Sequence, residues 1–339
     1  MARLRDVYRS WDEMIIKALE LDIENKRNIY SKKIVYITGM GGSGIIGDFI
    51  RKIFEEEFDK QKIMILSGKH AYMPSYLKDF KKELFLIAVS YSGDTAETLR
   101  VYRRSRDENI ERGVVTSGGA LYEEASRDGA PIVKVEKGLL PRASLPYLFI
   151  GALKMIELLG LDMEVIKSSL KNLSKKVSEL DPLSERVAEE VIEDIRNKRR
   201  IVFISTYKYD VVTERFRTEY AENLKYFVET AVFPEAGHNF IETLREGLST
   251  SIYYIHDPID LESELVYGLL RKISEKTEDL RLIEIALPEN ESYISKMFAG
   301  AYIAGLSSSI AAERLGIDPS YTGNIKMYRD HVSEYYMTH

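Results

Sequence analysis

The sequence of 339 residues predicts an α/β protein with two doubly wound subdomains, each a parallel sheet flanked by helices. Three observations carry this prediction. Short apolar segments alternate with helical patterns, which is typical of parallel sheets covered on both faces. A second series of such segments begins at Ile201. Turns of Gly, Ser and Thr follow two strands of the first series, at the sheet edge where such folds bind ligands.

The first half of the chain begins with an amphipathic helix, expected from Asp6 to Leu21, that packs on the sheet or on a partner. The strands of the first sheet are expected around Val35, Met64, Leu86, Val114 and Ile132. The helices that alternate with them are expected at 46–54, 96–106 and 122–127. The second of these strands comprises Lys62 to Leu66.

The middle of the chain, from Ala143 to about Arg199, turns helical and increasingly charged. Its apolar part, Leu145 to Leu159, is expected to be buried, whereas Lys167 to Lys198 alternates acids and bases at helical spacing, which indicates a solvated linker. The later strands of the second series are expected at 227–233, 252–256 and 282–287, each followed by a helical segment. We therefore predict an N-terminal domain over 1–155, a helical connection over 156–199, and a C-terminal domain with a final helix over 200–339.

Composition favours a soluble cytoplasmic enzyme without metal or other cofactor. The net charge of −6 argues against nucleic acid as the main partner. The chain has no cysteine, which excludes disulfides and cysteine-ligated zinc, and its 5 histidines show no His-x-x-x-His spacing. No apolar run approaches the length of a membrane span, so no membrane partner is expected.

The first turn follows the apolar segment Ile34–Thr38 and reads Gly39-Met40-Gly41-Gly42-Ser43-Gly44. A helix that begins directly after a strand presents unpaired N–H groups and the positive end of its dipole, which together bind phosphate. The same glycines match the dinucleotide fingerprint GxGxxG. That fingerprint needs a carboxylate at the end of the next strand, where this chain has Ser67-Gly68.

The second turn, Ser90-x-Ser92-x-x-Thr95, places three hydroxyl groups at another strand-to-helix junction. Hydroxyls donate to phosphate oxygens without the charge of lysine, which suits a site that binds and releases a metabolite. The alternative is that these side chains only form ST-turns and a helix cap. Because two such turns in one domain can close on one phosphate, we predict a phosphosugar pocket.

These two turns resemble the phosphate-binding turns of the sugar isomerase (SIS) domain. Further segments follow in the order found in the bifunctional phosphoglucose/phosphomannose isomerases of the phosphoglucose isomerase superfamily. They are Leu140-Pro141-Arg142, Glu222-Asn223-Leu224-Lys225, Glu235-Ala236-Gly237-His238-Asn239, and Gly316-Ile317-Asp318-Pro319 with Lys326. The resemblance spans about residues 35 to 330 and implies two SIS-type subdomains. It also implies metal-independent interconversion of glucose, fructose and mannose 6-phosphates through a cis-enediolate.

The resemblance also implies a role for each site residue. The residues expected to hold the substrate phosphate are Gly42, Ser43, Ser90, Ser92 and Thr95. Glu222 is the expected base, with Glu219 as the competing glutamate one helical turn away. Arg142 is expected to stabilise the enediolate, since a guanidinium is a permanent cation.

Ring opening is expected to depend on His238 and Lys326. In the related enzymes the histidine reaches into the site of the other subunit, which implies a homodimer with shared active sites. Ser320 or Thr322 corresponds to a threonine thought to admit mannose as well as glucose.

Three other functions stay open from the sequence. Another SIS-domain sugar-phosphate isomerase would share the first domain, although it has no evident need for the second. A non-catalytic phosphosugar sensor would keep the Ser/Thr turns but has no reason to retain Glu222, His238 and Arg142 together. A nicotinamide-binding oxidoreductase would need the ribose carboxylate that is missing after Leu66.

Overall fold

The computed structural model describes residues 3–58 and 63–338. Contacts divide these residues into two compact units. The first-sheet unit holds 10–174 together with the C-terminal segment from Thr322, and the second-sheet unit holds 3–9 together with 175–321. The N-terminal segment thus belongs to the unit formed mainly by the second half of the chain, and the C-terminal segment belongs to the unit formed by the first half. The boundaries expected at 155 and 199 stay a prediction.

The first sheet has six strands in the order β1-β6-β5-β4-β2-β3. Their bounds are β1 (Ile23–Glu24), β2 (Ile34–Thr38), β3 (Met64–Gly68), β4 (Leu84–Ser90), β5 (Glu111–Thr116) and β6 (Ile132–Lys134). All neighbours pair in parallel except β1, which pairs antiparallel with β6. The five predicted strands are confirmed, and Lys62, expected in the second of them, lies outside the described residues.

The second sheet has four parallel strands in the order β10-β9-β7-β8. Their bounds are β7 (Arg200–Thr206), β8 (Glu229–Phe233), β9 (Thr250–His256) and β10 (Leu280–Ala286). These strands confirm the second predicted series. The expectation that a helix follows each strand is wrong for β8, because two 3-10 turns, Glu235–His238 and Phe240–Thr243, occupy the segment before β9. That short segment contains three residues that favour turns over a helix, Pro234, Gly237 and Asn239.

The α-helices flank the two sheets. Their bounds are α1 (Leu4–Arg9), α2 (Trp11–Leu19), α3 (Gly41–Glu57), α4 (Ala96–Asp107), α5 (Gly119–Arg127), α6 (Leu145–Glu157), α7 (Glu164–Ser174), α8 (Asp181–Arg196), α9 (Asp210–Glu219), α10 (Leu261–Ser274), α11 (Tyr293–Arg314) and α12 (Gly323–Thr338). The single helix expected over 6–21 is wrong. Ser10 separates α1 from α2, and the buried aromatic residues on either side, Tyr8 and Trp11, belong to different units.

Both sheets are buried on both faces, as parallel sheets require. Every residue of the central strands β4 and β9 is buried. Helix α11 is buried over nearly its whole length in the second-sheet unit, where a Cβ atom at Gly305 would lie only 2.1 Å from the Tyr8 ring. Even so, within residues 3–58 and 63–338 no helix combines the length and apolarity needed to cross a bilayer.

Candidate active site

The strand order places the two predicted turns side by side. From β2 the chain runs to β3 on one side and then returns to β4 on the other, so the direction of winding reverses between β2 and β4. Open α/β sheets bind ligands at such a switch point, outside the carboxyl ends of the strands. The first turn follows β2 and the second follows β4.

The first turn forms the beginning of α3, which starts at Gly41, several residues earlier than predicted. Gly41 has φ of +55°, a conformation that favours glycine. The first turn of α3 carries no acidic side chain, so nothing there competes with a bound anion for the helix N-terminus. Ser43 is buried at this end of the helix, and its Oγ accepts a 3.1 Å hydrogen bond from the backbone N–H of Tyr91. The two turns are therefore in contact.

The hydroxyl groups of the second turn organise one another. Ser90 Oγ lies 3.0 Å from Thr95 Oγ1 and accepts a hydrogen bond from Gly93 N at 3.1 Å. Ser92 Oγ accepts one from Asp94 N at 3.3 Å. The ST-turns considered as the alternative are thus present. Ser92, which accepts from the backbone, keeps its own proton for a phosphate oxygen, and of Ser90 and Thr95 one donates to the other while the second keeps its proton.

A third turn supports the second one and was missed by the sequence reasoning. The carbonyl of Gly118, after β5, lies so close to Gly93 that a Cβ atom at Gly93 would be 1.8 Å from it. Asp94 Oδ1 accepts a 2.9 Å hydrogen bond from Ala120 N, and Ser117 Oγ donates one of 2.7 Å to the carbonyl of Tyr91. The Ser-Gly-Gly run at 117–119 was the signal that could have identified this turn.

Tyr91 links the second turn to the segment that leads to Arg142. Its hydroxyl donates to the carbonyl of Glu136 and accepts from Leu139 N, both at 2.8 Å. Burial raises the pKa of the Tyr91 phenol, and the nearby Glu136 raises it further, while the bond from Leu139 lowers it. The pKa therefore lies above its ordinary value of 10.0, and this linking hydroxyl is protonated at neutral pH.

Arg142 is buried, with 4% of its surface exposed, and lies directly against the first turn. A Cβ atom at Gly42 would be 2.8 Å from both the Cα and N atoms of Arg142. Only glycine allows this approach of two backbones. The structure therefore brings Gly42, Ser43 and Arg142 together within one unit, beside the hydroxyls of the second turn.

Lys326 lies on α12, which packs against α4 in the same unit. Tyr328 OH donates a 3.0 Å hydrogen bond to Glu97, in the first turn of α4 and two residues beyond Thr95. The Lys326 side chain is exposed. The helix that carries it is thus attached close to the second turn.

The two candidate glutamates of the second-sheet unit have different surroundings. Glu219 is 1% exposed, forms an ion pair with Arg215, and accepts 2.8 Å hydrogen bonds from Tyr8 OH and Asn223 Nδ2. Glu222 is half-buried and belongs to a π-helix over Tyr220–Leu224 that extends α9. Single π-helical turns occur frequently at functional sites. Because its oxygens are engaged by these partners, the Glu219 carboxylate has little freedom to accept a proton from a substrate.

His238 ends the first 3-10 turn after β8, and its side chain is exposed. The next residue, Asn239, fixes the turn: its Oδ1 accepts from Phe240 N at 2.5 Å and its Nδ2 donates to Glu235 at 2.7 Å. The backbone beside His238 is therefore held by local bonds while the imidazole points away from the core.

The switch point of the second sheet, between β7 and β9, is occupied by a protein carboxylate. Asp257, directly after β9, accepts 2.7 Å and 2.5 Å hydrogen bonds from Lys296 Nζ and Tyr209 OH. Burial, followed by the adjacent Asp257 carboxylate, raises the pKa of Tyr209. An internal anion at this position disfavours phosphate binding by the second sheet, because like charges repel.

A cavity of about 760 Å³ lies beside α4, but none of the predicted site residues lines it. Its cations already have partners. Arg104 and Lys78 form ion pairs with Glu108 at 2.5 Å and 3.5 Å, and the Arg100 guanidinium lies 4.9 Å from the centre of the Tyr336 ring. The two turns, and not this cavity, form the candidate phosphate site.

Two family models match the chain. One describes a SIS domain and matches residues 28–127; the other describes a bacterial phospho-glucose isomerase C-terminal SIS domain and matches residues 184–332. Among solved structures, the C-terminal domain of glucosamine-fructose-6-phosphate aminotransferase from Francisella tularensis matches with a TM-score of 0.70 and 16% identity, covering 94% of this chain and 97% of that one. That likeness establishes the fold alone.

Curated relatives cover nearly the whole chain. A bifunctional phosphoglucose/phosphomannose isomerase from Caldicellulosiruptor bescii is 28% identical, over 95% of this chain and 96% of that protein. A D-glucosamine-6-phosphate 4-epimerase from Sulfolobus acidocaldarius is 29% identical, over 93% of each. Further relatives share the name of the first.

Proposed function

We propose that the protein interconverts glucose 6-phosphate, fructose 6-phosphate and mannose 6-phosphate. The premise is that the chain carries two SIS domains and resembles the bifunctional phosphoglucose/phosphomannose isomerases over nearly its whole length. One observation carries the proposal. The Gly42–Ser43 turn and the Ser90–Thr95 turn meet at the switch point of the first sheet, against the buried Arg142. This combines donors for a phosphate with a permanent cation for the reacting end of the sugar.

The proposed reaction begins with opening of the sugar ring, in which His238 and Lys326 exchange protons with the ring oxygen and the anomeric hydroxyl. Histidine suits this step because its ordinary pKa lies close to neutral pH. Glu222 then removes the proton at C2 and returns it at C1, or the reverse. Arg142 stabilises the enediolate that forms between these steps.

The biological setting is part of the same proposal. Glucose and fructose 6-phosphates are the substrates and products of one step shared by glycolysis and gluconeogenesis, and we place the enzyme in the cytoplasm. We also propose a homodimer with shared active sites, in which His238 serves the site of the partner subunit. A monomeric variant would then keep phosphate binding and lose turnover.

A second candidate function rests on the relative from Sulfolobus acidocaldarius, whose name states epimerisation of glucosamine 6-phosphate at C4. At 29% identity over 93% of this chain, it is about as similar to this chain as the isomerase relative, which is 28% identical over 95%. A 6-phosphate is common to both kinds of substrate, so the same two turns would serve either reaction. Whether the enzyme accepts an amino sugar must therefore be decided by measuring activity.

The experiment that tests the proposal offers each hexose 6-phosphate to the purified protein in the presence of a chelator and follows the products by NMR. Fructose 6-phosphate is expected to yield glucose and mannose 6-phosphates. Conversion of glucosamine 6-phosphate alone would favour the 4-epimerase, and binding without conversion would favour a sensor. In a Ser43→Ala/Ser90→Ala variant, any of these activities should show a KM raised by at least about tenfold, since loss of phosphate donors weakens binding.

A further inference from the structure

Helix α10 exposes a continuous apolar stripe on the second-sheet unit. Leu261, Leu265 and Leu269 are 89%, 74% and 40% exposed, and the preceding Ile259 is 64% exposed. Residues spaced by four lie on one face of a helix. The neighbouring face of α10 packs Val266 and Leu270 into the core of the second sheet, so the stripe is not needed to hold the helix in place. A contiguous exposed apolar patch indicates an interaction surface.

One edge of the stripe is open to close approach. Gly268 borders the stripe, about 60° around the helix from Leu265, and a Cβ atom at Gly268 would meet nothing within 4 Å. A glycine at such a point allows the backbone of another helix to come near. The stripe is therefore a row of leucines with a shallow edge beside it, a shape that suits a second helix.

The charges of α10 make the stripe complementary to itself. Exposed Glu262 lies in the first turn, and exposed Lys272 lies in the last, whereas Glu264 and Arg271 already pair with His256 and Glu275 of the same chain. When two copies of one helix pair antiparallel about a twofold axis, the first turn of each lies opposite the last turn of the other. Acidic and basic ends would then meet twice, which favours this arrangement over a parallel one.

We propose that α10 is the contact surface of a homodimer, with two copies paired antiparallel about a twofold axis near Gly268. The proposal rests on the dimer of the proposed function and names its surface. The segment with His238 covers the same face of the sheet, since Ala236 and Leu244 share a core with Val266 and Leu270. A dimer through α10 therefore brings the His238 side of this unit toward the partner.

The test measures the dimer dissociation constant by sedimentation equilibrium for the full chain and its variants. Leu265→Glu puts a charge at the centre of the stripe and is expected to raise this constant by more than about tenfold. Val165→Glu is the matched control, because Val165 is also apolar, is 60% exposed, and belongs to α7 of the first-sheet unit rather than to α10. Since both side chains are exposed, circular dichroism spectra should match those of the wild type.

A charge exchange tests the antiparallel orientation. Glu262→Lys alone should weaken the dimer, and Glu262→Lys combined with Lys272→Glu should restore it. A dimeric wild type whose dissociation constant is unchanged by Leu265→Glu would overturn the surface while leaving the proposed dimer in place. A monomeric wild type would overturn both. A dimer weakened by Leu265→Glu in a protein without isomerase activity would support the surface and contradict the proposed function.

Discussion

At the scale of single residues, the contrast between Glu219 and Glu222 decides which glutamate can act as a base. Glu219 lies in a buried network with Arg215, Tyr8 and Asn223. Removing one partner of a buried ion pair leaves an uncompensated charge, which costs about 3–5 kcal/mol. Glu222 is half-buried, one helical turn further along.

We therefore expect the glutamine substitution at Glu222 to affect turnover and the one at Glu219 to affect stability. Glu222→Gln should lower kcat for fructose 6-phosphate by about 10²–10⁴-fold, the usual contribution of a general base, and leave the melting temperature nearly unchanged. Glu219→Gln should lower the free energy of unfolding by several kcal/mol. Kinetics and thermal unfolding of both variants check this. A folded Glu219→Gln variant with normal stability and no turnover would exchange the two roles.

Selectivity between the two epimers is expected to depend on Thr322. Ser320 donates its hydroxyl to Asp318 at 2.6 Å within its own turn, and this bond lowers the pKa of Asp318. Half-buried Thr322 directly precedes α12, the helix of Lys326. Thr322→Ala should therefore lower the yield of mannose 6-phosphate relative to glucose 6-phosphate, with Ser320→Ala as the control. An altered product ratio in the serine variant alone would reverse the assignment.

At the scale of elements, α10 begins at a cap that also carries an ion pair. Asp260 accepts a 2.9 Å hydrogen bond from Ser263 N and forms a 2.9 Å ion pair with Lys208. Burial raises the pKa of Asp260, but the bonds from Ser263 and Lys208 outweigh it and the net pKa is lowered. This stabilisation is present above the unfolded-state pKa of about 3.9 and is lost as the pH falls through the lower folded-state value.

Two substitutions at Asp260 separate the contribution of the helix cap to stability from that of the carboxylate charge. Asp260→Ala should cost about 0.5–2 kcal/mol in unfolding free energy at neutral pH, because it removes the cap. Asp260→Asn keeps the cap and should cost less. Its deficit relative to the wild type should shrink as the pH falls below about 4. Urea unfolding at several pH values measures this, and a deficit that grows in acid would contradict it.

The sequence predicts the elements with strong patterns and misses those that depend on tertiary contacts. Alternating apolar segments located the five parallel strands of the first sheet and the four of the second. The two-residue strand β1 was missed, because it exists only by pairing with β6. The break at Ser10 was missed as well, since it depends on where Tyr8 and Trp11 are buried.

The candidate site shows the same division between local and distant information. The Gly/Ser/Thr turns could be read from the sequence because each lies within a few residues. The approach of Gly42 to Arg142 joins positions far apart in the chain, and only the structure reports it. The hydrogen bond from the Tyr8 hydroxyl to Glu219, which indicates a structural role for this glutamate, likewise joins distant positions and is seen only in the structure.

At the scale of the whole molecule, the N-terminal segment is held by the unit farther along the chain. Tyr8 is 0% exposed, donates to Glu219 at 2.8 Å, and lies against Gly305 of α11. Tyr8→Phe should lower the free energy of unfolding by about 1.5–3 kcal/mol, the value of a hydrogen bond to a charged group. Chemical denaturation checks this, with Tyr207→Phe as the control at a half-exposed phenol. Equal stability of the two variants would contradict the role of Tyr8.

The most direct test of the isomerase proposal is the turnover of fructose 6-phosphate by the wild type and Glu222→Gln, with chelator present and glucose 6-phosphate and mannose 6-phosphate measured separately. We expect both products from the wild type and neither from the variant, because Glu222 carries the proton between C2 and C1. Product formation by Glu222→Gln at the wild-type rate would contradict the mechanism. Absence of both products from the wild type would contradict the isomerase itself.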